Sequence, residues 1–348
     1  MYTKKIEVYE MKAIVFCPEQ SKLVIEDWPN PIPGPNEVVV KVHSAALNHR
    51  DINIKNSPYT KDKIVFGSDG AGTIFQVGDN VENVEIGEEV IINTYISCLK
   101  CEDCLSGKHT LCTNGRVLGG LSWPGTFAEY VKLPSQNVVK KPNHLLFNQS
   151  AALALSFGTG WRALVSQAKI KPGDSLLIQG IGGGVSLYCL QIAVAFGCKV
   201  IVTSSSNSKI EEAIKMGAVA GINYKEENVI EEVRKLTGDM GVDIVISSHG
   251  GSVPLSMDAA KVGGKIIQFA YLGDTLPSFE IDKIMMKQLS LIGTGDHTYQ
   301  EFKQAINFIE QHKLVPTISE VFSFNDFDKA FQLMESGLQF GKIVIEIV

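Results

Sequence analysis

Four of the seven cysteines fall in one short segment, Cys98, Cys101, Cys104 and Cys112, with the spacing C-x2-C-x2-C-x7-C. A loop that folds on itself at this spacing can present four thiolates to one Zn²⁺, each at about 2.3 Å. Four thiolates leave no coordination position open, so such a site holds structure rather than doing chemistry. The competing readings are a redox centre, an iron–sulfur cluster or unligated thiols. Lys100 and Lys108 are placed to temper the negative charge of the lobe. Cys17, Cys189 and Cys198 lie in apolar surroundings and read as small buried hydrophobes.

A second cluster, Gly180-Ile181-Gly182-Gly183-Gly184-Val185-Ser186, follows the apolar run Leu176-Leu177-Ile178. Glycine removes the Cβ that would keep a phosphate from the backbone, and the helix that follows offers unpaired N–H donors. Read as G-x-G-x-x-G from Gly180, the third position is Val185; read one residue later it is Ser186, but the first is then Ile181. The turn therefore carries one extra residue relative to a regular dinucleotide fingerprint. The bland alternative is a turn that packs helix on strand and binds nothing. An NAD site also wants an acid about 20 residues on, to hold the ribose 2′-hydroxyl. Here the second strand ends Val202-Thr203-Ser204-Ser205-Ser206-Asn207-Ser208-Lys209, with hydroxyls and a lysine and no acid. Those groups suit a 2′-phosphate, so NADP(H) is favoured over NAD(H), although serine also serves simply to cap a helix.

These segments need two kinds of scaffold. Up to about residue 150 the chain reads as short β-branched runs, among them Val38–Val42, Thr73–Val77 and Glu89–Ile92, separated by Gly, Pro, Asn and Asp. That pattern predicts a barrel-like β domain. From Ser175 the rhythm becomes βαβ. Strands are predicted at 176–178, 200–203, 221–223, 243–247, 265–269 and 289–293, with helices at 185–196, 208–216, 229–236 and 254–262. Six such strands make a doubly wound parallel sheet. The tail predicts helices at 299–311 and 326–335 and a closing strand at 341–347.

Composition narrows the function classes. The 348 residues suggest about two domains. A net charge of −6 gives no electrostatic footprint for nucleic acid or an anionic membrane. Hydrophobic residues at 45% and charged residues at 20% suit a globular chain with a full core. The uncharged stretch Leu176–Cys198 is long enough for a membrane span, but its glycines and glutamines favour strand, turn and buried helix. Residues 1–10 are charged and lack an apolar h-region, so the expected compartment is the reducing cytoplasm.

The combination resembles the medium-chain dehydrogenase/reductase superfamily, in its zinc-type alcohol-dehydrogenase-like and quinone-oxidoreductase-like group. The resemblance covers essentially the whole chain. It rests on Ala45–Asp51, Gly67-Ser68-Asp69-Gly70-Ala71-Gly72, the cysteine lobe, Gly125-Thr126-Phe127-Ala128-Glu129-Tyr130-Val131, the glycine turn, Asn223-Tyr224 and Gly241-Val242-Asp243. It implies an α/β fold: a GroES-like β-barrel catalytic domain over 1–156 and 296–348, carrying the zinc lobe 98–112, and a Rossmann domain over 157–295. It also implies a homodimer or homotetramer acting on a small molecule. Thr159 would contact the nicotinamide carboxamide. Ser204, Ser205, Lys209 and Tyr224 would surround the 2′-phosphate. Phe269-Ala270 and Gly293-Thr294-Gly295 would line the nicotinamide side.

The departures from that family carry most of the functional reading. Its zinc alcohol dehydrogenases hold a catalytic zinc with an early Cys, a Gly-His-Glu segment and a later Cys or Asp. Here those positions are Asn48, Ser68, Asp69 and about Leu155. A lone Asp69 cannot hold Zn²⁺, which wants at least three protein ligands. The lone histidines nearby, His43 and His49, read as packing or phosphate-contact residues. The expected content is thus one structural zinc per chain and no catalytic one. Without a Lewis acid, alcohol oxidation is hard, whereas hydride delivery to a conjugated acceptor spreads charge over an enolate or quinol. The resemblance then implies an NADPH-dependent reductase of quinones or α,β-unsaturated carbonyls. Asn48 is a candidate to orient substrate or the nicotinamide ribose, Tyr59 a candidate proton donor, and Asp51 a residue that ties down its own loop. The alternatives are an alcohol or aldehyde dehydrogenase with an atypical active site, and a non-catalytic NADPH-binding sensor or scaffold.

Overall fold

The computed structural model describes residues 10–57, 60, 62–120, 123–249, 252–272 and 280–347. The chain forms two compact units, one from residues up to Leu155 together with Thr298 onward, the other from Ser156 to His297.

The first unit is built on β-structure. The strand Glu37–Ala46 alternates Val38, Val40 and Val42 into the core and pairs antiparallel with Asp69–Val77, Tyr130–Pro134 and Lys342–Glu346. These belong to a seven-stranded sheet that also contains Val138–Lys140, Glu89–Ile92 and Ile318–Ser323. A three-stranded sheet, Lys22–Pro29, Glu10–Cys17 and Ile64–Val65, accompanies it. One apolar cluster, including Phe66, Phe127, Leu133, Phe331 and Ile345, fills the interior. The tail thus supplies an interior strand of the sheet, which lies between Ile318–Ser323 and a strand some 300 residues earlier in the chain. The helix Tyr299–His312 starts at a capping box: the Glu301 N–H donates to Thr298 Oγ1 at 3.2 Å and the Thr298 N–H to Glu301 Oε2 at 2.7 Å.

The second unit is a parallel six-stranded sheet. In chain order its strands are Ser175–Ile178, Lys199–Ser204, Ala220–Asn223, Val242–His249, Ala260–Leu272 and Ser290–Gly293. In space they run third, second, first, fourth, fifth, sixth, the doubly wound order. Near-continuous apolar runs such as Leu176-Leu177-Ile178 are buried because helices can cover both faces of a parallel sheet. The stretch 176–198 resolves into a strand, the glycine turn and the helix Gly184–Ala195, as its glycines imply. No helix among the described residues is long and apolar enough to cross a membrane.

One predicted element is displaced. The helix expected over 254–262 is Val253–Ala259, and Ala260 already begins the fifth strand. Ala260 pairs with Val242, and the Lys261 ammonium meets the Asp243 carboxylate. Long-range pairing therefore takes over three residues whose local pattern allowed a helix to continue.

Candidate functional site

The cysteine lobe is closed at its base by a two-stranded ladder in which Tyr95 pairs with Val117 and Ile96 with Arg116. That ladder returns the chain so that Cys98 and Cys112 meet: the Cys98 N–H points to Cys112 Sγ at 3.4 Å. Cys101 is the N-cap of the short helix Glu102–Leu105, which carries Cys104 inward. All four Sγ atoms lie within 4.8 Å of one another, and Cys98 Sγ is 3.9 Å from Cys104 Sγ. Four sulfurs around one zinc at about 2.3 Å would stand roughly 3.8 Å apart, so the donor set fits a tetrahedral ion. The backbone N–H groups of Lys100 and Cys101 hold the Cys98 thiol below its ordinary range, while burial pushes that of Cys104 up. At Cys98 the charge is tempered by backbone dipoles, one of them from Lys100. Among the described residues, these cysteines form the one group of three or more Cys, His, Asp or Glu placed to hold a metal.

The positions compared with a catalytic zinc site also converge, but around an ammonium. Val344 faces Ala46 across the sheet, and the Leu47 N–H donates to the Ile343 carbonyl, which brings Lys342 to Asn48. Ala46 in turn pairs with Asp69. Lys342 Nζ donates to Asn48 Oδ1 at 2.6 Å and to Asp69 Oδ2 at 2.9 Å. Asn48 Nδ2 donates to Ser68 Oγ at 3.2 Å, and the Leu155 N–H to Asp69 Oδ1 at 2.9 Å. Lys342 is 3% exposed and Asp69 fully buried. A lysine cannot ligate a metal while it is an ammonium, and the one carboxylate is already engaged by two donors. The residues here do not fit a zinc site.

Asp51 adjoins this cluster on the helix His49–Lys55. Its Oδ2 accepts the Asn48 N–H at 2.8 Å, so it does tie down its own loop. Its Oδ1 is buried without a hydrogen-bond partner, and burial lifts its carboxyl to about 6 against the pull of Arg50. His43 is held elsewhere, with Nε2 2.9 Å from Thr73 Oγ1 and its ring stacked on Phe147. Tyr59 lies outside the described residues.

In the second unit the glycine turn is pinned to the end of the second strand. The Gly180 N–H donates to Thr203 Oγ1 at 3.2 Å and the Ile181 N–H to the Thr203 carbonyl at 2.8 Å. Gly180 (φ +72°) and Gly182 (φ +132°) take conformations that side-chain-bearing residues rarely adopt. Gly183 is the N-cap, so Gly184 and Val185 already belong to the helix. Buried Ser186 donates to the Gly180 and Gly183 carbonyls at 3.1 and 3.0 Å, bracing the turn from within the first helical turn. A Cβ on Gly182 would sit 3.1 Å from Lys209 Cδ and 3.4 Å from its Nζ, so this lysine reaches over the turn. Burial lowers its pKa.

Ser206 Oγ caps the helix Asn207–Lys215 by accepting the Lys209 N–H, the bland role open to this serine run. Ser204 Oγ accepts the Ser206 N–H at 3.2 Å, and Ser205 is half-buried beside it. The Tyr224 N–H donates to the Ser204 carbonyl at 3.1 Å, which sets the half-exposed Tyr224 next to the same strand end. Ser204, Ser205, Lys209 and Tyr224 thus share one corner with the turn, a cradle that fits an anionic nucleotide. Thr159 lies buried in the helix Ala154–Trp161. Phe269 and Ala270 are half-buried in the fifth strand, and Gly295 follows the sixth.

Two family profiles match this chain: "Alcohol dehydrogenase GroES-like domain" over residues 34–143 and "Zinc-binding dehydrogenase" over 184–311. A zinc-type alcohol dehydrogenase-like protein, YogA, of Leptosphaeria maculans is 32% identical over 96% of both chains. This chain belongs to the medium-chain dehydrogenase/reductase superfamily, in its zinc-type alcohol-dehydrogenase-like group. It is an oxidoreductase of a family that works with a nicotinamide cofactor and zinc. An acryloyl-coenzyme A reductase of Sulfurisphaera tokodaii is 28% identical over 97% of this chain and all of its own. The crystal structure of an NAD-dependent alcohol dehydrogenase superposes with a TM-score of 0.92 at 35% identity, over 97% of this chain and 100% of that one. These findings bear out the GroES-like and six-stranded Rossmann architecture read from the sequence.

Sequence reasoning missed Lys342 and the orphaned oxygen of Asp51. The available signal for the lysine was its place at the head of Lys342-Ile343-Val344-Ile345, a run buried at all four positions. A strand that needs no polar residue there carries a charge.

Proposed function

We propose that this chain is an NADPH-dependent reductase of α,β-unsaturated carbonyls or quinones, with one structural zinc in the cysteine lobe and none at the reacting centre. The observation that carries this reading is the Asn48–Lys342–Asp69 cluster: the positions that could ligate a catalytic ion are spent on hydrogen bonds to an ammonium and to one another. When bound, the reduced nicotinamide supplies the hydride. The protein binds and orients. Gly180, Gly182 and Gly183 open the backbone to a pyrophosphate, and Lys209 with Ser204, Ser205 and Tyr224 offers charge and hydrogen bonds for a 2′-phosphate. Thr159, Phe269, Ala270 and Gly295 are assigned to the nicotinamide end, and Asn48 to the substrate. A conjugated acceptor suits a centre without a metal because its oxygen receives a delocalised charge. The similarity to an acryloyl-coenzyme A reductase agrees with an enoyl-type substrate.

The second reading, an alcohol dehydrogenase with atypical active-site chemistry, is favoured by the 35% identity to an NAD-dependent alcohol dehydrogenase. Cofactor consumption decides between them. The purified protein is given NADPH or NADH with a panel of enones, enoyl thioesters and quinones, and NADP⁺ or NAD⁺ with primary and secondary alcohols. NADPH-linked reduction with about one zinc per chain supports the proposal. Alcohol oxidation with two zincs per chain overturns it, and tight NADPH binding with no turnover points to a sensor.

A further inference from the structure

Tyr299 reaches both ends of the cysteine lobe. It is the first residue of the helix Tyr299–His312, just after the chain returns to the first unit at Thr298. The Ser97 N–H, one residue before Cys98, donates to Tyr299 Oη at 3.1 Å. The Tyr299 ring lies against that of His109, with the centroids 4.8 Å apart. His109 opens the short turn His109–Leu111, and its carbonyl accepts the Cys112 N–H at 3.0 Å. One side chain thus touches the backbone that leads into the first sulfur ligand and the turn that delivers the last.

The phenol is itself held in one sense. Asn137 Nδ2 donates to the Asn93 and Tyr95 carbonyls at 3.0 and 2.8 Å. Carbonyls only accept, so Asn137 must turn Oδ1 toward Tyr299, which settles an amide orientation that atomic positions alone leave ambiguous. Oδ1 accepts the phenol proton at 3.1 Å. With its proton committed, Tyr299 Oη serves the lobe as an acceptor. The Ser97 hydroxyl stands 3.4 Å from Tyr299 Oη and also hydrogen-bonds the Cys104 thiol. Asn137 is fully buried and Ser97 5% exposed, and hydrogen bonds made away from water are electrostatically stronger. Tyr95 belongs to the ladder that closes the base of the lobe, so the same network braces that ladder.

We infer that Tyr299 is a positioning residue for the four-cysteine site, and that through it zinc occupancy and the start of the helix Tyr299–His312 are coupled. This rests on reading the lobe as a zinc site. A bound zinc would hold Cys98 and Cys112 on one ion and so fix Ser97 and His109 at the spacing that Tyr299 spans. In return, Tyr299 and Asn137 order those two segments before the metal arrives, which leaves less ordering to oppose binding. Groups just outside a ligand shell are commonly worth about 10- to 100-fold in metal affinity. Such coupling is reciprocal: what Tyr299 does for zinc, zinc does for the hold on Tyr299.

The test uses the intact protein, stripped of zinc and titrated with zinc against a chromophoric chelator. Tyr299→Phe keeps the ring on His109 and removes the hydroxyl. It should weaken zinc binding by about 10-fold, and Tyr299→Leu, which removes both contacts, by more. Hydrogen exchange reads the coupling from the other side. In the wild type, zinc should slow exchange in the first turns of the helix Tyr299–His312, and Tyr299→Phe should lose most of that effect. A tyrosine that merely packs would lower the melting temperature equally with and without zinc, whereas here the loss should be larger in the zinc-loaded protein. Should Tyr299→Leu not fold, Tyr299→Phe decides alone. Wild-type zinc affinity in folded Tyr299→Phe, with the zinc-dependent protection kept, overturns the inference and leaves the zinc lobe standing. A wild type that binds no zinc overturns both.

Discussion

The backbone N–H of Leu155 donates to Asp69 Oδ1 at 2.9 Å, while Lys342 Nζ holds the other oxygen of the same carboxylate at 2.9 Å. Leu155 and Asp69 are two of the positions compared above with the metal-site residues of zinc dehydrogenases. Here they close a hydrogen-bonded cluster instead, and the charge in that cluster is balanced by a lysine from the last strand of the chain.

Breaking a buried pair strands a charge, which costs about 3–5 kcal/mol, whereas removing both charges costs far less. Lys342→Met alone and Asp69→Asn alone should each lower stability by that order. The double variant should recover much of the loss. Urea unfolding of the four proteins in a double-mutant cycle reads the coupling. Additive losses would mean that the two residues are held independently.

The four-cysteine lobe should hold about one zinc per chain, because its four sulfurs complete a tetrahedral shell. Cys104→Ser should remove that zinc and lower the melting temperature, since ligand geometry and lobe folding are linked. Elemental analysis beside thermal melts checks both. Retention of a full zinc equivalent in Cys104→Ser would contradict the assignment.

Lys209→Ala should weaken NADPH binding by about 10- to 100-fold, the worth of a hydrogen bond to a charged group, and leave NADH binding nearly unchanged. Fluorescence titration of both cofactors measures this. Equal losses for the two would place Lys209 over the pyrophosphate instead, consistent with its reach across Gly182.

Asp51 gives stability a pH dependence. Burial raises its carboxyl from 3.8 to about 6, Asp69 pushes the same way, and Arg50, Lys342 and the Asn48 N–H pull it down. A raised carboxyl binds its proton more tightly in the folded chain. Its contribution is therefore greatest at and below pH 4, declines through pH 4–6, and above pH 6 becomes a penalty of up to about 3 kcal/mol. Asp51→Asn keeps an acceptor for the Asn48 N–H and cannot ionise. Relative to wild type it should gain in melting temperature as pH rises from 4.5 to 7.5. A constant difference across that range would show that Asp51 does not titrate there.

The sequence alone determined whatever depends on near neighbours. The cysteine spacing announced a four-sulfur lobe because three of the ligands lie within seven residues and the fourth eight further on. The alternation of apolar runs with helices announced the parallel sheet, since strands buried on both faces must be apolar throughout. The glycine turn and the acid-free end of the second strand were equally local. The structure was needed for Lys342, which reaches Asn48 across 294 positions and Asp69 across 273. It was needed too for Ala260, which leaves its helix to pair with Val242, and for Asp51, whose second oxygen is stranded by residues that pack over it. Partners brought together only by sheet register leave no spacing in the chain to read. In this protein the Lys342 ammonium that binds Asn48 and Asp69 is such a partner, so only the tertiary structure decided that these two residues hold a charged side chain.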